Sequence, residues 1–339
     1  MLKPIATLDP LADPASFREA VAEWFGKHGR DYPWRRIRDP YAVLVSEVML
    51  QQTQIATVLG KNYYGRFLDR FPDPSSLATA DDSDLLKAWE GLGYYRRARM
   101  LRETARAVVA EGKFPETLDA LQKLPGVGRY TANAVRAFAF GLPAAVVDGN
   151  VARVLSRLVD FRETVDSPAG LRHLWTLADQ LADPQRPRIY NSALMEIGQT
   201  CCRPGVPDCL ACPIARFCRT KDPENLPVKT PKAKTEQIAS HVLWMRDSEG
   251  RVLLHQEQGK RRQGLWKLPE RPAEEVADLP EIATHRYGIT RFQVTLHIHH
   301  AGAGTALREH EFWHAPESIA QLAMPSPYRR AVEALLKES

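Results

Sequence analysis

Apolar positions recur at helical spacing through roughly the first two hundred residues and give way to strand-like runs beyond residue 241. Residues 15–29 predict an amphipathic helix with Phe17, Val21, Trp24 and Phe25 inward. A helix is expected around Glu47, and more follow over 61–113, with Phe67, Phe71, Leu85, Leu86 and Trp89 as core, and over 167–200. The organising stretch is 118–158. It reads as a helix with Leu118, Leu121 and Leu124 on one face, a tight Pro125-Gly126-Val127-Gly128 turn, and a second helix turning Ala132, Val135 and Ala139 inward. Gly141 and Pro143 stop that helix, and a short apolar run delivers Asp148, Gly149 and Asn150 to the start of another. Residues 241–246 and 251–255, either side of an Asp247–Gly250 turn, read as a β-hairpin.

A length of 339 residues suits two domains, and 44% hydrophobic residues can furnish a core for each. The expected division is a helical domain over 1–224, a basic, proline-stiffened linker over 225–236 with Pro227, Lys229, Pro231, Lys232 and Lys234, and a C-terminal domain over 237–339. The net charge of +5 and a pI near 8.9 favour a polyanionic partner. Neither a signal-like apolar run at the N-terminus nor a membrane-length segment is visible, so the expectation is a soluble, cytoplasmic, nucleoid-associated protein acting as a monomer.

Four local patterns carry chemistry. Glu47 lies among Leu44, Val45, Val48 and Met49, where a carboxyl loses hydration and holds a proton near neutral pH, as a general acid must; a hydrogen-bonded structural glutamate is the alternative. The turn through Gly126 and Gly128, followed by Arg129, offers backbone N–H groups at a helix start that suit a DNA phosphate, or it is a plain helix connection. Asp148 is a helix cap or a catalytic anion. Cysteines 202, 209, 212 and 218 form a C-x6-C-x2-C-x5-C cluster, which argues for metal over disulfides, with a four-thiolate zinc site as one occupant.

Taken together, Leu124-Pro125-Gly126-Val127-Gly128-Arg129 and Val147-Asp148-Gly149-Asn150 resemble the helix-hairpin-helix DNA glycosylases. Glu47 with Leu50-Gln51-Gln52-Thr53 narrows the resemblance to adenine DNA glycosylases of the MutY type. It implies a mainly α glycosylase domain with an iron–sulfur loop, joined to an α+β Nudix-like C-terminal domain. It also implies duplex DNA holding adenine opposite 8-oxoguanine or guanine as substrate. In such a protein Glu47 protonates the departing base and Asp148 stabilises the sugar cation, positioned with the water or sugar by Asn150 and Tyr130. The Leu50-Gln51-Gln52 run enters the minor groove with Thr53 also at the DNA, Tyr94 intercalates, and Trp34 and Arg35 line the base pocket. Relatives carry Gln or Glu near Asn191-Ser192 to contact adenine, whereas this chain offers Ser192. Cys202, Cys209, Cys212 and Cys218 match the spacing for a 4Fe-4S cluster.

Tyr130 stands where strand-cleaving relatives have lysine, and a phenol cannot form their imine, so a monofunctional hydrolase is expected. Residues 264–269 resemble a Nudix turn, but Glu274 and Glu275 lack the setting that holds magnesium. Thr290 and Arg291 align with the family's 8-oxoguanine-reading loop, Arg291 replacing a histidine. The alternatives are a thymine or uracil mismatch glycosylase on the same scaffold, a non-catalytic lesion-binding protein, and a Nudix-type hydrolase.

Overall fold

The computed structural model describes residues 8–231, 233–302 and 304–338. Lys232 of the expected linker and the first seven residues lie outside them. Helices α1 (Pro14–His28), α2 (Pro33–Arg36), α3 (Pro40–Leu50), α4 (Ile55–Gly60), α5 (Tyr63–Arg70), α6 (Pro74–Ala78), α7 (Asp82–Ala88) and α8 (Arg96–Glu111) come first. The hairpin follows as α9 (Leu118–Lys123) and α10 (Arg129–Val135), then α11 (Gly149–Leu158), α12 (Pro168–Leu181) and α13 (Pro187–Thr200). The C-terminal region holds strands β1 (Glu236–Trp244), β2 (Val252–Gln256), β3 (Trp266–Lys267), β4 (Glu270–Arg271), β5 (Glu281–Ile289), β6 (Phe292–His300) and β7 (Glu311–His314), with helices α14 (Pro316–Ile319) and α15 (Ser326–Glu338).

The chain forms two compact units, Met1–Val48 with Ala107–Pro231, and Met49–Arg106 with Lys232–Ser339. In the first, the apolar faces of α1, α11, α12 and α13 meet in a core that includes Phe17, Val21, Leu155, Leu158, Leu174, Tyr190, Ile197 and Phe217. Phe17 and Val21 are fully buried as expected, while Trp24 and Phe25 only border this core, Trp24 stacking on His28.

In the second unit, Phe67, Phe71, Leu85, Leu86 and Trp89 are buried as the periodicity predicts. The unit also contains the α+β region: a mixed sheet ordered β4-β1-β6-β5, with β1 and β6 parallel, and a second sheet ordered β3-β2-β7. Polar bonds join these parts. Arg329 Nε donates to Glu90 Oε1 at 2.7 Å, and the Tyr95 hydroxyl donates to Met324 O at 3.0 Å. These compact units therefore divide the chain differently from the boundaries at 224 and 237.

The expected hairpin over 241–255 forms only at its tip, through Asp247 N to Arg251 O, Leu253 N to Met245 O and an Arg246–Val252 bridge. Beyond it β1 and β2 part into different sheets. Their buried faces satisfy two separate cores: Val242, Trp244, Val252 and Leu254 in one, Leu243, Met245 and Leu253 in the other. Among the described residues no helix is long and apolar enough to cross a membrane.

Candidate active site and nucleic-acid interface

Helix α3 is apolar almost all round, and it starts where Asp39 Oδ2 accepts the Ala42 N–H at 2.7 Å. Glu47 therefore has nowhere polar to go and is buried at 7% exposure. Its carboxyl accepts a hydrogen bond from Tyr130, whose hydroxyl donates to Glu47 Oε2 at 2.8 Å. Burial pushes the Glu47 carboxyl up to about 7; the charge of Asp148 adds to this and the Tyr130 bond opposes it. Burial, with the nearby carboxylates, pushes the Tyr130 phenol well above its ordinary value, so it stays a donor.

Tyr130 is placed by the hairpin. The Thr117 hydroxyl caps α9, and Gly126 takes φ +76°, a left-handed conformation that glycine adopts at little cost. Gly128 then caps α10. The second helix does not stay α: Arg136–Phe140 forms a π turn ended by Gly141 at φ +66°, and the Phe138 carbonyl is taken by Arg188. Arg129 lies over the Trp175 ring, 4.2 Å from its centroid, and pairs with Asp179 at 2.9 Å while remaining partly exposed.

Asp148 is the N-cap of α11. Its Oδ1 accepts the N–H groups of Asn150 at 2.9 Å and Val151 at 2.7 Å, and its Oδ2 accepts the Asn150 side-chain amide at 2.9 Å. Burial raises its carboxyl above the ordinary value, while these three donors and the charge of Arg153 favour the anion. The charge of Asp148 adds to the upward shift of both Glu47 and Tyr130. Asn150 holds Asp148, and the Tyr130 hydroxyl, which the hairpin delivers to α3, donates to Glu47.

Sequence reading missed Arg153. One helical turn past Asn150, it donates to Asn150 Oδ1 at 2.9 Å, Gly198 O at 2.6 Å and Cys202 O at 2.7 Å, tying Asp148's partner to the cysteine loop. Its i, i+3 spacing from Asn150 was the available signal. Gly198 allows the approach, since a Cβ there would lie 2.7 Å from Asn150 Cβ.

Trp34 is buried and stacked on Tyr32 at 5.3 Å. Arg35 is held by Glu196 Oε2 at 2.5 Å and by Arg30 O at 2.6 Å, over the rings of Phe25 and Tyr32. Glu196, 1% exposed, is a buried carboxylate one turn beyond Ser192. Ser192 itself is buried. The Asn191 side chain is occupied by Val146 N, Ala144 O and Pro187 O.

In the second unit Gln51, Gln52 and Thr53 follow α3 in a turn that forces Gln52 to φ +56°. Arg97 organises it, donating to Met49 O, Gln51 O and Thr53 Oγ1 and also to Leu92 O and Gly93 O. Burial lowers Arg97 to about 10, and its five hydrogen bonds brace this turn. Beside it Tyr94 stands half exposed at φ +45°. Thr290, also left-handed at φ +53°, and Arg291 form the two-residue turn between β5 and β6.

Cys202 accepts a hydrogen bond from buried Arg157 at 3.3 Å, and the Cys218 thiol lies 3.3 Å from Arg157 O. Burial and then neighbouring cysteines raise Cys212 to about 12; Cys218 is raised to about 11 by burial, with Cys202 and Cys209 adding to the shift. Cys209 is raised by burial and by Cys202. The Cys201 sulfur is engaged by Thr200 and Ala211 O at 3.6 Å each. Among the described residues no three Cys, His, Asp or Glu side chains converge on a single metal ion.

A buried acid, a capped anion and a helical hairpin between them in sequence define a class, and residues 45–177, which span all three, match the HhH-GPD superfamily of base excision DNA repair proteins. The chain is 45% identical over 229 residues to a mouse adenine DNA glycosylase, covering 64% of this chain and 44% of the mouse protein. It is 39% identical over 202 residues to the Mycolicibacterium smegmatis adenine DNA glycosylase, covering 59% of this chain and 67% of that protein. It also resembles a solved thermostable thymine-DNA glycosylase, with a TM-score of 0.56 and 31% identity over 62% of this chain and 97% of the other. The chain belongs to the adenine DNA glycosylase family of the HhH-GPD superfamily. It spans less than half the length of the mammalian relatives it matches.

Proposed function

We propose that this protein is a monofunctional DNA glycosylase of base excision repair that hydrolyses the N-glycosidic bond of adenine mispaired with 8-oxoguanine or guanine. The observation that carries this reading is the burial of Glu47 together with the hydrogen-bonded cap at Asp148, because burial keeps one carboxyl protonated near neutral pH while three hydrogen bonds favour ionisation of the other. Glu47 gives its proton to the adenine as the C1′–N9 bond breaks and its electron pair leaves with the base. Asp148 stabilises the sugar cation, water adds at C1′, and the water's proton passes to a carboxylate. With a phenol at Tyr130 in place of an amine, no Schiff base forms.

Gln51, Gln52, Thr53 and Tyr94 act at the opened base step and the Gly126–Gly128 turn with Arg129 at the backbone. Trp34 lines the base pocket, with Arg35 fixed by Glu196 behind it. Cys202, Cys209, Cys212 and Cys218 hold a 4Fe-4S cluster, which the thiol donor set and the Arg157 cation suit and which pins the loop. The protein acts as a cytoplasmic, nucleoid-associated monomer on duplex DNA, with 225–236 as the linker to the lesion-reading domain. Base release from duplexes with adenine opposite 8-oxoguanine, guanine or cytosine, and thymine or uracil opposite guanine, tests the assignment. Release of thymine in place of adenine would support the mismatch alternative.

A further inference from the structure

Arg291 lies at the tip of the β5–β6 hairpin, where the left-handed Thr290 turns the chain between the paired residues Ile289 and Phe292. Glu236, the first residue of β1, pairs in parallel with Phe292 and donates its backbone N–H to Arg291 O at 3.0 Å. The side chains meet too: Arg291 Nη2 is 3.2 Å from Glu236 Oε1, and both are about half exposed. The tip thus presents a guanidinium and a carboxylate side by side, a donor and an acceptor open to solvent.

We propose that Glu236 and Arg291 together read the major-groove edge of 8-oxoguanine, Glu236 accepting its N7–H and Arg291 donating to a carbonyl oxygen. This rests on the adenine glycosylase reading above and names the residue that sets its opposing-base preference. Arginine has donors only, so it cannot accept the N7–H that distinguishes 8-oxoguanine from guanine. A carboxylate accepts only. Guanine presents an N7 lone pair at the same place, which Glu236 repels. The pair therefore combines attraction for the lesion with rejection of the normal base, and specificity needs both.

The test compares the parent with Glu236→Gln and Thr290→Val, measuring affinity for duplexes that carry an abasic-site analogue opposite 8-oxoguanine or guanine, together with single-turnover adenine release opposite each base. A glutamine amide can donate to the guanine N7, so Glu236→Gln lowers the 8-oxoguanine-to-guanine affinity ratio about tenfold, chiefly by tightening binding to guanine. Taking the ratio removes any general gain in DNA binding from the lost charge. A ratio unmoved by Glu236→Gln within twofold, or one that collapses only in Thr290→Val, overturns the pair's role. In a parent that still releases adenine, that result leaves the glycosylase reading standing. A parent that releases no adenine from any duplex overturns both.

Discussion

The Tyr130 hydroxyl donates a 2.8 Å hydrogen bond to Glu47 Oε2, joining the hairpin to the apolar helix that carries the acid. Burial dominates the environment of the Glu47 carboxyl and raises it, and the tyrosine bond only moderates that rise.

Activity should follow the protonated fraction of Glu47. Single-turnover adenine release is expected to fall as pH rises above about 7, and Glu47→Gln should lose about 10²–10⁴ in rate while still binding DNA. Stability has a matching sign. Below about 4.5 the group is neutral whether folded or unfolded; between 4.5 and about 7 only the unfolded chain ionises, so stability is lost across that window. The loss is of the order of 3 kcal/mol. Denaturant melts at pH 4 and pH 8 should therefore show Glu47→Gln gaining relative to the parent only at the higher pH.

Removing the phenol hydroxyl removes the influence that lowers the Glu47 pKa. Tyr130→Phe should shift the alkaline limb of the rate profile to higher pH, a shift read from single-turnover rates across pH 6 to 9. Tyr130→Lys should gain a borohydride-trappable protein–DNA crosslink that the parent lacks. Abundant trapping by the parent would contradict the hydrolytic assignment.

Asp148→Asn should abolish most turnover without loss of DNA affinity, since the anion is removed while its shape is kept. Asn150→Ala deletes one of the three hydrogen bonds to that carboxylate and the acceptor of Arg153, so a smaller loss, about tenfold to a hundredfold, is expected. Equal rates for Asn150→Ala and the parent would show that the cap alone suffices.

Gly198→Ala would force a methyl to within 2.7 Å of Asn150 Cβ. A fall in unfolding free energy of about 1–3 kcal/mol is expected, with a lower rate of base release because Asn150 is displaced. Unchanged melting and rate together would mean that the α11–α13 contact yields freely.

If the cysteines hold the proposed cluster, the purified protein should carry about four irons per chain and broad visible absorption. Cys212→Ser should reduce the iron content and lower thermal stability, whereas Cys201→Ser should keep the iron. Zinc in place of iron would sink the cluster.

The chain by itself determined whatever depends on neighbours a few positions away. The apolar run around Glu47 announced a desolvated acid, the Gly126–Gly128 turn announced the hairpin, and Asp148 at a helix start announced its cap, because periodicity, turn conformation and capping are set within a few residues. Tertiary structure decided the partners. Tyr130 meets Glu47 across 83 positions, Arg35 is claimed by Glu196 across 161, and Arg153 reaches Cys202 across 49. It also parted β1 from β2 and set Glu236 against Arg291. No local pattern encodes such pairs: a buried polar group must find a complement wherever packing brings one, and that complement belongs to another element of the fold.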